Sequence, residues 1–258
     1  MAHQILRREF LVSGAAALAG VLGSAAGLRA GGALAGLKTR HYNAFAPARN
    51  EVPTLLDHIL LGCRDLDEGI TFVEKHTGVR AAFGGVHPGR GTRNALLSLG
   101  ERRYLEIIAP DPAQSEVPDA YGLLRLEEPR LVTWAAHPGD IQALAARLAK
   151  AGIAAEGPTP GSRKRPDGKL LQWKTLNLKD NAGGLLPFFI EWSAESLHPS
   201  ADSPKGCTLV RFEALAPNAD ALSDTAKQLG LGLVVGKGDK SQLSAVVSSA
   251  KGELKLTS

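Results

Sequence analysis

A strand, a helix and then three strands recur along this chain, and such a recurrence constrains the fold more than any one element does. The first run is the clearest. Leu56 to Gly62 reads as an apolar strand. Asp65 is a natural helix N-cap, with Glu68 three residues on as its capping-box partner and Gly78 as the stop. Leu66, Ile70 and Val73 fall on one face at helical spacing. Strands follow over Ala81–Val86, Asn94–Leu99 and Arg103–Ala109, the last two joined by the turn Gly100-Glu101-Arg102. A second run opens at Leu131–Ala136. It continues with a helix capped by Asp140 and stopped by Gly152, and with a short strand at Ala154–Glu156. A basic, proline-bearing loop over Gly157–Lys169 and strands over Leu171–Leu178 and Pro187–Trp192 complete it. A third, looser run has strands at Cys207–Ala214, Leu233–Val235, Gln242–Ser248 and Glu253–Leu256. Its helix is capped by Asn218 or Asp220. The spacing divides the chain into a first unit at 55–128, a second at 129–197 and a partial third at 206–258.

Two of these apolar strands each carry an isolated polar side chain: His58 in the first strand, Glu106 in the fourth. Burying an unpaired polar group is costly, so a shared metal ion or polar substrate is the reason to expect. Side chains alternate along a strand. His58 therefore shares a face with Leu60, and Glu106 shares one with Tyr104 and Ile108. The glycine-rich stretch Gly84–Asn94 lies between them and contains His87, Thr92 and Asn94. The bland alternatives are a core histidine bonded to Glu106, a simple glycine turn, a Glu191 facing solvent at a sheet edge, and, for Arg163-Lys164-Arg165, a solvated loop in place of an anion clamp.

The N-terminus reads as an export signal over residues 1–36. Arg7-Arg8-Glu9-Phe10-Leu11 has the twin-arginine pattern, and a mildly apolar Ala/Gly/Leu stretch follows. That predicts a periplasmic protein; the alternative is a cytoplasmic protein with an N-terminal tail. Residues 37–54 read as linker. No stable membrane insertion is expected after processing. The formal net charge of +4 is small, and part of it sits on Arg7, Arg8 and Arg29, so nucleic-acid binding is not expected. Cys63 and Cys207 read as plain thiols, with a disulfide after export as the alternative. There is no Gly-x-Ser-x-Gly elbow and no Cys-x-x-Cys pair, which argues against a serine hydrolase and structural zinc.

The recurring unit, with Asp57-His58, the segment Gly85-x-His87-Pro88-Gly89-x-Gly91-Thr92-x-Asn94, Tyr104–Pro110 and Pro187–Trp192, resembles the vicinal oxygen chelate superfamily. Within it, the chain is most similar to bacterial glyoxalase-like domain proteins. The resemblance implies an α+β fold in which paired βαβββ modules form curved mixed sheets around an open trough. It implies a divalent metal (Zn, Ni, Mn or Fe(II)) held by His58, Glu106 and Glu191. His87 and Glu191 would be catalytic, and Thr92, Asn94, Tyr104 and Trp134 would contact substrate. Thr133 and Trp134 stand where a second histidine ligand is expected. His87 is then the remaining ligand, the general base or a substrate contact; His137 falls in the loop before the helix. Two functions follow. One is a metal-dependent lyase, isomerase or dioxygenase acting on a small oxygenated substrate. The other is a metal-free protein that sequesters a small molecule. A homodimer is compatible with either.

Overall fold

The computed structural model describes residues 51–258; the expected export segment and residues 37–50 of the linker lie outside the described residues. The first unit consists of β1 (Leu56–Gly62), α1 (Leu66–Thr77), β2 (Ala82–His87), β3 (Thr92–Ser98) and β4 (Tyr104–Pro110). The second consists of β5 (Arg130–Ala136), α2 (Ile141–Lys150), β6 (Ala155–Lys164), β7 (Leu170–Leu178) and β8 (Phe188–Trp192). The helix caps fall where the sequence put them. Asp65 accepts from the N–H groups of Asp67 and Glu68, and Asp140 from those of Gln142 and Ala143. Gly78 ends α1 with φ 78°, a conformation that glycine adopts without steric cost.

All eight strands form one mixed sheet, in the order β2-β3-β4-β1-β5-β8-β7-β6. Each unit pairs its first strand with its fourth in parallel, and β1 and β5 join the units antiparallel. The sheet curls so far that its two edges meet: the Arg163 guanidinium on β6 donates to the Gly84 carbonyl on β2. Gly84 is free to accept because a bulge between Phe83 and Gly85 leaves it out of the β2–β3 ladder. This corrects two expectations. The glycines do not merely make a turn, because a Cβ on Gly85 would stand 2.9 Å from Lys164 O. Nor is Gly157–Lys169 all loop, since β6 runs to Lys164. Its prolines are tolerated because β6 is an edge strand with a bulge between Glu156 and Thr159.

The third run has the expected element order: β9 (Cys207–Ala216), α3 (Ala219–Leu229), β10 (Val234–Lys237), β11 (Gln242–Ser249) and β12 (Gly252–Thr257). Its pairing differs. It is a separate sheet ordered β10-β9-β11-β12, with β9 parallel to β10 and antiparallel to β11. No parallel pairing of first and fourth strands exists here, so it does not extend the trough. It packs behind the large sheet, where Phe212 lies 5.1 Å, centroid to centroid, from Trp134. The core fills the convex side: Ile59, Leu61, Leu105 and Ile107 from strands, Val73 and Leu144 from helices, Trp134 and Phe212 between the sheets. Cys63 and Cys207 are both free and buried. Burial pushes the Cys63 thiol up to about 12.

Gly69 shows how closely α1 lies on the sheet. A Cβ there would stand 2.6 Å from both Cys63 Sγ and Ile107 Cγ2. Gly→Ala inside a helix gains about 1 kcal/mol of propensity, whereas overpacking a core costs about 1–3 kcal/mol. Both neighbours are buried, so packing decides. Gly69→Ala is expected to lower unfolding stability by about 1–2 kcal/mol in urea titrations; equal or higher stability would show that α1 shifts freely.

Candidate functional site

The concave face of the curled sheet encloses a cavity of about 260 Å³. His58 and Leu60 from β1 line it, with Tyr104, Glu106 and Ile108 from β4, as strand alternation requires. Parallel pairing sets His58 beside Tyr104 and Leu60 beside Glu106. His58 Nε2 thereby stands 3.3 Å from Glu106 Oε2. From the next two strands, Asn94 Nδ2 donates to Glu106 Oε1 at 2.8 Å, and His87 Nε2 lies 3.7 Å from that same oxygen. Thr92 Oγ1 meets His87 Nδ1 at 2.9 Å. Tyr104 stacks on the His58 ring, centroids 4.4 Å apart. The structure thus brings together His58, His87, Thr92, Asn94, Tyr104 and Glu106, all from the first unit.

What orients His58 is Asp57, which the sequence offered only as its neighbour. A bulge between Leu56 and His58 in the β1–β5 pairing leaves Asp57 without a partner on β5. It sends Leu56 into the core while His58 keeps to the cavity side. Asp57 is fully buried, and its Oδ1 lies 2.7 Å from His58 Nδ1. Its Oδ2 lies 3.2 Å from His198 Nε2, and Trp192 Nε1 donates at 3.3 Å. Burial alone would raise the Asp57 carboxyl. The hydrogen bonds and charge of His198 and His58 outweigh it and hold that carboxyl far below the usual range. With Nδ1 held at Asp57, His58 turns its Nε2 toward Glu106. A proton on Nε2 or a cation between the two atoms satisfies that approach. Burial holds the His87 imidazole below its usual pKa, against the pull of Glu106, so His87 is a neutral base near pH 7.

The second unit contributes differently. His58 pairs with Tyr104, and Ala135 pairs with Phe188. Counting from those pairs, Ala135 stands where a second His58 would be and Ile190 where a second Glu106 would be. Phe188, Ile190 and Trp192 line the cavity. Glu191 therefore points to the other face. Its Oε2 accepts from Ile141 N–H at 2.8 Å, at the start of α2, and its Oε1 lies 3.8 Å from Lys174 Nζ. The placement of Glu191 in the site is corrected: its position, one residue along the strand, reverses its face. Trp134 is corrected likewise. It is fully buried in the rear core, with Nε1 donating to Leu185 O. His137 lies outside the cavity, and its N–H donates to Leu55 O. Conversely, the basic stretch splits. Arg165 pairs with Asp202 and Lys164 is exposed, but Arg163 is 4% exposed and lines the cavity with Trp173, Thr175 and Asn177. Asp57 and Trp192 stood in the sequence only as motif neighbours with no role assigned, and Arg163 only as one of three basic residues weighed as an anion clamp against a solvated loop. Asp57 carried a signal, a second polar residue inside an apolar strand.

A larger open groove of about 790 Å³, along Ser98, Glu101, Arg102 and His198, gathers no comparable set of facing acid and base groups. Donors held at about 2.0–2.2 Å from one first-row metal ion stand about 3 Å apart. The 3.3 Å between His58 Nε2 and Glu106 Oε2 fits two ligands of such an ion, and the Asp57–His58 bond is the usual orienting contact of a ligating histidine. The fit stops at two. His87 approaches the other oxygen of Glu106, and among the described residues no three His, Cys, Asp or Glu side chains are grouped to hold a metal.

A curled mixed sheet made of two units that pair first and fourth strands in parallel, with a polar cluster on the concave face, defines a vicinal oxygen chelate fold. The glyoxalase-like domain family matches over residues 56–230, and the chain belongs to that family. Among solved structures, a hypothetical protein of Staphylococcus aureus is 16% identical with a TM-score of 0.62. The match covers 78% of this chain and 98% of that one. Methylmalonyl-CoA epimerase of Mycobacterium tuberculosis is 23% identical with a TM-score of 0.42, over 57% of this chain and 93% of that one. A variant of the Streptomyces coelicolor epimerase, in complex with 2-nitronate-propionyl-CoA, is 24% identical with a TM-score of 0.40, over 54% and 96%. No curated protein matches the sequence.

The Asp57 network makes a stability prediction. A carboxyl with a depressed folded pKa stabilises the fold fully above the unfolded value of about 4 and loses that contribution as pH falls below it. Asp57→Asn is expected to cost about 3–5 kcal/mol near neutral pH, as for breaking a buried pair. The gap to the parent chain should narrow below pH of about 4. Denaturant titrations at both pH values check this; a gap independent of pH would mean that Asp57 acts by packing alone.

Proposed function

We propose that this chain is an enzyme of the lyase or isomerase kind, moving a proton on a small oxygenated molecule held in the 260 Å³ cavity. One observation carries the reading: two imidazole Nε2 atoms approach the two oxygens of a single buried carboxylate, at 3.3 Å and 3.7 Å. His87 takes the proton. It is neutral, and Thr92 holds its Nδ1, which leaves Nε2 as the basic atom. Asn94 steadies both partners of that exchange, donating to Glu106 and standing 3.2 Å from His87 Nε2. The apolar walls of Ile108, Phe188, Ile190 and Trp192 exclude water and strengthen each polar contact. His58 and Glu106 would hold a divalent ion, which when bound supplies Lewis-acid stabilisation of charge developing on a substrate oxygen. A lyase or isomerase is favoured over a dioxygenase because a neutral histidine beside a carboxylate is a proton-transfer pair.

A second reading, a metal-free protein that sequesters a small molecule, is supported by Ala135 and Ile190 standing where a second ligand pair would be. Two measurements separate them. Reconstitution with Zn, Mn, Ni or Fe(II) followed by elemental analysis is expected to give near one ion per chain. That content should fall sharply in His58→Ala and in Glu106→Gln and stay unchanged in Glu191→Gln. Content unchanged from the parent chain in both of the first two variants removes them as ligands. Exchange of deuterium from D2O into C–H positions beside the carbonyl of pyruvate or hydroxyacetone, followed by NMR, is expected to slow by about 100-fold or more in His87→Ala. No exchange above the protein-free rate for the parent chain leaves the sequestering reading.

We also propose export by a twin-arginine route, supported by Arg7-Arg8-Glu9-Phe10-Leu11 and the weakly apolar stretch after it. Among the described residues no helix is long and apolar enough to cross a membrane. In a bacterial host with that route, the full chain should fractionate with the periplasm, and Arg7→Lys with Arg8→Lys should retain it in the cytoplasm. Identical fractionation of both removes the proposal.

A further inference from the structure

Arg163 is the unexplained charge of this cavity. It is 4% exposed, yet it has no ion-pair partner among the described residues; its one hydrogen bond there is to the Gly84 carbonyl. A backbone carbonyl satisfies one N–H of the guanidinium fork and neutralises none of its charge. Burying such a cation without a counter-ion is strongly unfavourable. The next strand, β7, contributes a polar group to the cavity that also lacks a partner. Thr175 lines the same cavity and is 4% exposed, and its Oγ1 is buried with no hydrogen-bond partner. Asn177 follows on the same face. The His58–Glu106–His87 cluster lines the same cavity, together with Trp173, Trp192 and Phe188. Glu106 lies near enough to act on the Arg163 charge but makes no ion pair with it.

We infer that the cavity takes a small monocarboxylate with an apolar or aromatic body, its carboxylate on Arg163 and its second oxygen, a 2-oxo or 2-hydroxy group, toward Glu106 and His87. A planar guanidinium matches a carboxylate with two parallel hydrogen bonds, and Thr175 offers an unpartnered hydroxyl elsewhere on the same cavity wall. The aromatic walls accept the rest of the molecule. The curl of the sheet explains why Arg163 can be there at all. β2 and β6 are the two free edges, and Arg163 both clasps them and lines the cavity. This inference rests on the cavity being the site of a small oxygenated molecule and names the class of that molecule; it does not depend on turnover.

Isothermal titration calorimetry of the full chain with phenyllactate, phenyllactamide and phenyl phosphate tests it. Phenyllactate is expected to bind about tenfold or more tighter than its neutral amide, since a charge-assisted hydrogen bond separates them. Arg163→Gln should bring the acid down to the affinity of the amide while the amide's own affinity stays put, which shows the cavity is still formed. Arg163→Lys, which keeps the charge and loses the fork, should fall between and covers the case in which the glutamine variant does not fold. Equal affinity for acid and amide in the parent chain, or no binding of the acid, overturns the inference, as does an acid preference that survives both substitutions. Tighter binding of phenyl phosphate than of phenyllactate overturns the carboxylate class. Failure of deuterium exchange with retained acid preference would sink the enzyme reading and leave this one standing; the converse would do the reverse.

Discussion

The Asp57 carboxylate is fully buried, and its burial sets the terms for the rest of the site. A buried anion must be matched by hydrogen bonds and positive charge. Here the match comes from three places in the chain: His58 next door, Trp192 at the end of β8, and His198 in the segment after it. The first unit's opening strand is thereby tied to the second unit's closing strand through one carboxylate. The same bonds fix the ring orientation of His58, and with it the direction in which Nε2 meets Glu106. A stabilising network and a site-forming network are one set of atoms, so a change at Asp57 is felt in both.

Closure of the sheet is the second constraint. Parallel pairing within each unit and antiparallel pairing between them give a sheet with β2 and β6 as edges. Exposed edges invite pairing with other chains. Here the edges meet through Arg163 and the bulged Gly84 carbonyl, which protects both and completes the cavity wall. Gly85 is needed for that approach, since a Cβ there would stand 2.9 Å from Lys164 O, and Gly84 makes room for Asn94, whose Oδ1 would stand 2.4 Å from a Cβ. The local backbone of β2 and the composition of the cavity are thus coupled through one clasp.

Much of this was legible in the sequence, for physical reasons that also explain what was not. Helix caps are local, so Asp65, Asp140 and Gly78 could be read directly. The His58–Glu106 pair was legible because alternation within a strand is local and parallel neighbours share a face. Strand pairing between distant segments is not local. The element order of residues 207–258 matches the earlier runs, yet β9 pairs with β10 and β11, which no periodicity could decide. Nor could the sequence place Arg163, one of three consecutive long residues from Arg163 to Arg165. Only the curl of the sheet turns the first inward.

Glu191 shows how narrow the margin is. It lies in an apolar strand just as Glu106 does, and the two strands occupy equivalent places in their units. Equivalence is set by pairing: Tyr104 corresponds to Phe188, so Glu106 corresponds to Ile190, and Glu191 is one residue too far. On a pleated strand one residue is the difference between the cavity and the helix face. There Glu191 accepts from the first N–H of α2, where a negative charge is favourable against the helix dipole. The facing histidines and carboxylate of the site therefore come from the first unit alone, and the second supplies aromatic walls, Thr175, Asn177 and an unmatched cation. An asymmetric cavity of that kind suits a ligand with an oxygenated end and an apolar end, held in one orientation.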